Sequence, residues 1–264
     1  MRLDKNQENI YIPLIRDFKN QTADLYKKVW INKAADFSGL FIPHVFDDYY
    51  SAKTKVFFIG QDTYGWPELE KTYALSEKDY LVENNKWPES IDVTLEWTNP
   101  YTFWNFVNRL QLAFNGEKYD SLQNLSSSQR KILNQLGWGN IYSLEILETI
   151  AKYGEEFNQS FDHSIYSDLL KRTQDISKLK NVINAFHPDY VVILAWKYVE
   201  DWYLDGLDAH FIAEESIDNL LSVYKLNSGT KVLWTYHPQA LCRKSQDLDE
   251  LIKIFQDRKK EVRD

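Results

Sequence analysis

The chain of 264 residues carries 31 Lys and Arg against 39 Asp and Glu, a formal net charge of -8, and its 44% hydrophobic content suffices for one large domain with a buried core. Acidic surface repels polyanions, so this balance weighs against strong nonspecific nucleic-acid binding, while leaving room for a local basic groove. The single cysteine, Cys242, excludes an internal disulfide, a four-cysteine zinc site and a cysteine-ligated iron–sulfur cluster within one chain, and the sequence shows neither a long apolar run nor a charged-then-apolar leader. The expectation is a cytoplasmic protein with no membrane partner, no metal and no cofactor.

Residues 1–50 mix polar stretches with Ile10, Ile12, Leu14 and Ile15 and a later Leu40-Phe-Ile-Pro run, which predicts a helical N-terminal extension packed on a main body. From Thr54 onward, short β-branched or aromatic runs alternate with longer amphipathic stretches. That alternation predicts an α/β fold with a central four-stranded, mostly parallel sheet, its strands at 55–59, roughly 139–142, 190–195 and 231–235. The segment from Trp66 to Glu96 has weak periodicity and several turn formers, and reads as a long excursion partly covering a site.

Asn99 and Pro100 supply an N-cap and a first-turn proline for a helix whose Phe103, Phe106, Val107, Leu110 and Phe114 share a buried face. Asp175 reads as the start of a helix carrying Ile176, Leu179, Ile183 and Phe186, which Pro188 ends before the strand at Tyr190. Between Glu200 and Asp218 stand seven acidic residues and no Lys or Arg, the pattern of a solvated face turned away from any anionic partner. Asp247 and Glu250 form a capping-box pattern ahead of Leu248, Leu251, Ile252 and Phe255. The whole chain, 1–264, reads as one domain with its core at about 54–255.

Two strand exits carry polar groups. Val56-Phe-Phe-Ile-Gly runs into Gln61, Asp62 and Tyr64, and Val232-Leu-Trp-Thr-Tyr runs into His237-Pro238-Gln239-Ala240-Leu241. Ligands of open α/β sheets sit beyond the carboxyl ends of strands, so these are natural site positions. Each motif alone has a plain alternative. Asp62 could merely cap a helix, and His237 could simply bond a backbone carbonyl.

Taken together with Asn140 between them, the motifs resemble the uracil-DNA glycosylase superfamily. Its best-known branch reads Gly-Gln-Asp-Pro-Tyr-His and His-Pro-Ser-Pro-Leu-Ser, against Gly60-Gln-Asp-Thr-Tyr-Gly and His237-Pro-Gln-Ala-Leu-Cys here. Tyr190-Val-Val-Ile-Leu-Ala-Trp-Lys is similar to the family's third strand, and Pro100-Tyr-Thr-Phe-Trp-Asn-Phe to its helix after the pocket loop. The likeness implies a three-layer α/β/α domain that hydrolyses the N-glycosidic bond of uracil or a related damaged base in DNA.

The resemblance also implies roles. Base release builds positive charge on the sugar and negative charge on the leaving pyrimidine, which calls for a carboxylate on one side and a neutral donor on the other. Asp62 would position a water and stabilise the sugar, and neutral His237 would donate to the base carbonyl. A preorganised donor of this kind is typically worth about 3 kcal/mol. The backbone N–H of Gln61 would contact the base, and Asn140 would read its carbonyl and ring N–H edge. Tyr64 would exclude a C5 methyl. Trp66 or Trp97 would provide a stacking platform, although core packing explains either equally. Leu241 would enter the DNA stack, with Arg243 and Lys244 on phosphates or simply solvated. The implied partner is DNA, single-stranded or presenting a flipped nucleotide.

Thr63, Gly65, Gln239 and Ala240 depart from the family pattern in ways that weaken a duplex grip. A second reading therefore stands beside the first: a noncatalytic binder of a modified base, nucleotide or nucleic-acid end on the same scaffold. A third is an unrelated doubly wound domain.

Overall fold

The run Val56–Gly60 is apolar and buried at every position, as a strand covered on both faces must be. In the computed structural model, which describes residues 3–31, 38–61, 69–85, 90–96, 103–118, 122–144, 163–195, 201–215, 220–243 and 248–261, this run is central in a seven-stranded sheet. The strands are β1 (His44–Val45), β2 (Val56–Gly60), β3 (Leu136–Asn140), β4 (Tyr190–Leu194), β5 (Ala209–Glu215), β6 (Leu221–Leu226) and β7 (Lys231–Thr235), in spatial order β1-β3-β2-β4-β7-β6-β5. β3, β2, β4 and β7 are mutually parallel. β1, β6 and β5 join antiparallel.

The helices are α1 (Lys5–Ile31), α2 (Leu69–Ala74), α3 (Glu77–Asn84), α4 (Ile91–Glu96), α5 (Phe103–Phe114), α6 (Ser127–Leu133), α7 (His163–Ser177), α8 (Leu179–Phe186), α9 (Pro238–Arg243) and α10 (Leu248–Glu261). Side chains alternate across the strands and build a core on each sheet face. Phe57, Ile59, Val191, Ile193 and Val232 pack with Tyr11, Ile15 and Phe18 of α1 and with Leu169, Val182 and Phe186 of α7 and α8. Phe58, Val192, Leu194 and Leu233 pack with Phe106, Val107 and Leu110 of α5 and with Leu251 and Phe255 of α10. Helices thus cover both faces.

The four parallel strands lie where sequence pattern put them, with one displaced by about three residues. The predicted strand at 139–142 is β3 at 136–140, whose sequence Leu136-Gly-Trp-Gly-Asn holds two glycines. They are there for space: a Cβ on Gly137 would lie 2.2 Å from the Phe57 ring. Among the described residues the sheet has seven strands, against the four expected. The excursion after Trp66 contains three short helices, α2 to α4, the second capped by Ser76, whose side chain accepts from the Asp79 N–H.

Asp175 does not begin a helix. It lies inside α7, and the chain breaks at Lys178, whose ψ of 138 is extended. Asn181 reaches back to donate to the carbonyls of Asp175 and Ile176, which the end of α7 would otherwise leave open. α8 then closes on His187 in the left-handed region, φ 48, just before Pro188. The acidic segment covers a short 3-10 turn at Asp201–Leu204 and β5, at the sheet edge remote from β2 and β3.

His44 of β1 is buried edge-on against Trp138 at 5.1 Å, with Phe41 and Phe46 nearby. Desolvation lowers its pKa to about 3. Among the described residues no helix is long and apolar enough to cross a membrane.

Candidate functional site at the carboxyl edge of the parallel strands

Gly139, Ile59, Ile193 and Trp234 are register partners in one row across the four parallel strands. One residue further, β3 ends in Asn140, β2 in Gly60 and β7 in Thr235, so the segments carrying Gln61 and His237 leave the same edge of the sheet. Three strand spacings separate Asn140 from Thr235, roughly 14 Å. The chain passes from β2 to β3 on one flank, and β4 then pairs with the other flank of β2. Strand order reverses there, and ligands of such sheets bind outside the strand ends at a reversal.

Asn140 is buried at 1% exposure on the face covered by α5. It is the register partner of Gly60, and a Cβ on Gly60 would stand 2.8 Å from its Oδ1 and 3.2 Å from the Phe103 ring. The missing side chain of Gly60 is what lets the Asn140 amide and Phe103 come together over the end of β2. The parallel track continues beyond them, Ile141 N–H donating to the Gly60 carbonyl at 2.9 Å and Tyr142 N–H to that of Gln61 at 3.2 Å. Behind Phe103 stands an aromatic bank, with Trp104 edge-on at 5.3 Å and Trp138 at 4.9 Å from Trp104.

His237 caps α9. Its carbonyl accepts from the N–H groups of Ala240 at 2.8 Å and Leu241 at 3.1 Å, and Pro238 occupies the first helical position, where no N–H is needed. Its Nδ1 accepts from the Gln239 N–H at 3.3 Å. A ring nitrogen that accepts carries no proton, which assigns the hydrogen of the neutral ring to Nε2 and leaves that atom as a donor. Desolvation lowers the pKa of His237 from its ordinary value, so the ring is neutral at pH 7.

Leu241, which the resemblance would send into the DNA stack, packs inward. It is fully buried, with Ala240 at 6% exposure, and belongs to the apolar core between the sheet and α5. α9 presents its apolar side inward, so Leu241 packs the interior and offers no exposed wedge in this structure. Gln61 is half-buried at the exit of β2, and Arg243 is the last residue of α9. Asp62, Tyr64, Trp66, Trp97 and Lys244 lie outside the described residues.

Gly60 and Phe103 are the site neighbours that sequence reasoning missed. Gly60 reads as a turn residue and Phe103 as one more apolar position of α5. Their closeness to Asn140 follows from the β2–β3 register, which no local pattern reveals.

A cleft of about 430 Å³ between α5 and α10 includes none of the sequence-predicted site residues. Arg109, Asp249 and Gln256 line it, with Arg109 and Asp249 3.7 Å apart. Among the described residues no cluster of three His, Cys, Asp or Glu side chains is placed to hold a metal. No family model, curated protein or solved structure matches the chain.

Proposed function

We propose that this protein is a DNA glycosylase that hydrolyses the N-glycosidic bond of uracil or a related damaged base. The observation that supports it most is that a buried amide on Asn140 and a neutral His237 whose Nδ1 is held as an acceptor both belong to the carboxyl edge of the parallel strands. An amide offers a donor and an acceptor to a pyrimidine edge, and a neutral Nε2–H stabilises negative charge growing on the departing base without protonating it first.

In this reading the base lies over the end of β2, against Asn140. Nε2–H of His237 donates to its carbonyl oxygen as the glycosidic bond breaks. Asp62, two residues beyond Gly60, orients the attacking water and takes its proton as the C–N bond breaks and the C–O bond forms; the base leaves as an anion and takes up a proton from solvent while Asp62 gives its proton back, so that the products are the free base and an abasic sugar.

The reading is tested by measuring free-base release from a uracil-containing single strand. Asn140→Ala and His237→Ala should each lower release by at least about a hundredfold while the circular dichroism spectrum is unchanged. Full activity in either variant would remove that residue from the site.

The buried Leu241 and the net charge of -8 also favour a second reading, a noncatalytic binder of a base or nucleotide at the same edge. It predicts saturable nucleotide binding, weakened by His237→Ala, with no base release.

A further inference from the structure

Resting on the glycosylase reading, we infer that Phe103 is a positioning residue: its ring holds the Asn140 amide in one orientation and so sets which base edge the site accepts. The two side chains, one from the end of β3 and one from the first position of α5, flank the spot that a side chain on Gly60 would fill. Asn140 Oδ1 lies 2.8 Å from that spot, and the ring-edge carbons Cε2 and Cδ2 of Phe103 lie 3.2 and 3.6 Å from it. The edge of an aromatic ring carries the positive part of its quadrupole, which favours a carbonyl oxygen as its neighbour. Turning the amide over would aim its positive N–H2 group at this positive edge. Asn140 is buried, so it has little room for other rotamers.

The brace is itself held. Phe103 packs edge-on against Trp104 at 5.3 Å, and Trp104 against Trp138 at 4.9 Å. Trp138 stands two residues before Asn140 on β3, so both side chains leave the same face of that strand. The contacts form a closed circuit, from β3 at Trp138 out to α5 and back to β3 at Asn140. Trp104 and Trp138 are both buried, and a reading group is kept to useful precision when its supporting residues are packed in this way.

Flipping a carboxamide exchanges its donor and its acceptor. Uracil presents a carbonyl acceptor beside a ring N–H donor, whereas cytosine presents an amino donor beside a ring acceptor. One held orientation can match only one of these edges, and the Phe103 ring is what keeps Asn140 from serving both.

The test uses free uracil and free cytosine as competitive inhibitors of base release from a single strand carrying one uracil, at a temperature where every variant is folded. The wild type should bind uracil the more tightly. Phe103→Leu and Phe103→Met keep apolar bulk and lose the ring edge, so either serves if the other folds poorly. Each should lower the preference for uracil by about tenfold, the size of discrimination that a two-point amide contact to a base typically provides. If both bases bind less tightly and the preference is unchanged, the ring itself meets the base; if only the melting temperature falls, its role is packing. Either result, or a wild type that releases uracil and binds the two bases equally, would overturn this inference and leave the glycosylase reading standing. A wild type that releases no base would overturn that reading and this inference with it.

Discussion

Gly60→Ala adds one methyl group at the point where the proposed site is tightest. Gly60 is not among the residues with positive φ, so alanine meets no backbone penalty and the cost falls on two neighbours. The new carbon would stand 2.8 Å from Asn140 Oδ1 and 3.2 Å from the Phe103 ring, and ordinary contact begins near 3.4 Å. The amide oxygen must therefore retreat by about 0.6 Å, from 2.8 to 3.4 Å, and Asn140, at 1% exposure, has little room to do so. Overpacking of this kind typically costs about 1–3 kcal/mol, which for a chain of this size lowers the melting temperature by a few degrees. A misplacement of about 1 Å at a reacting centre can cost about a hundredfold in rate, so the loss expected here is roughly ten- to a hundredfold. The assay is single-turnover release of uracil from a single strand at a temperature where the variant is fully folded. A Gly60→Ala variant with the wild-type rate would show that the Asn140 amide does not contact the substrate.

Gly137→Ala puts its methyl 2.2 Å from the Phe57 ring on the opposite sheet face, so it should destabilise by about 3 kcal/mol or prevent folding; a near-native urea midpoint would refute the packing argument. His44 has a pKa of about 3 in the folded protein against 6.5 unfolded, so the unfolded chain takes up the proton first. Its contribution is complete above pH 6.5 and is lost as pH falls towards 3, by up to about 1.4 kcal/mol per pH unit, and the acid sensitivity of the urea midpoint should shrink in His44→Leu; identical pH profiles for the two proteins would refute it. Desolvation lowers the pKa of His237 below its ordinary 6.5, so its neutral donor form is favoured, and the wild-type pH–rate profile should show no histidine inflection above pH 6.5. A histidine inflection above 6.5 that disappears in His237→Ala would contradict this.

The parallel core was legible because β2 and β4 are unbroken apolar runs of five residues and β7 carries Val232-Leu-Trp between Lys231 and Thr235, the mark of strands buried on both faces. β3 was misplaced because Gly137 and Gly139 serve the Phe57 ring across the register, a requirement that local propensity cannot express. The β6–β7 hairpin had a readable signal in Asn227-Ser228-Gly229, where Gly229 takes φ 87 between Val223-Tyr224 and Val232-Leu-Trp. β5 was hidden by its acidic composition. Asp175 misled because an aspartate before an apolar residue looks like a cap, when here it pairs with Lys178 at 2.9 Å inside α7.

Sequence order singled out Asn140, Gln61 and His237, and the strands that carry or precede them end at one edge of the sheet. Sequence order could not say which way Leu241 faces. That depends on the pitch of a short helix whose start is fixed by the His237 carbonyl, and the helix turns the leucine into the core. The role of Gly60 was invisible for the opposite reason, since it lies in what the residue lacks.

The central claim is hydrolytic base release at the edge shared by Asn140 and His237, with Asp62 serving the water. The most direct measurement incubates the purified protein with an end-labelled single strand carrying one uracil, then treats it with alkali and resolves the products on a gel. The expected result is a single break at the uracil position, reduced by at least about a hundredfold in Asp62→Asn. An intact strand at enzyme excess, or a break that Asp62→Asn leaves undiminished, would contradict it.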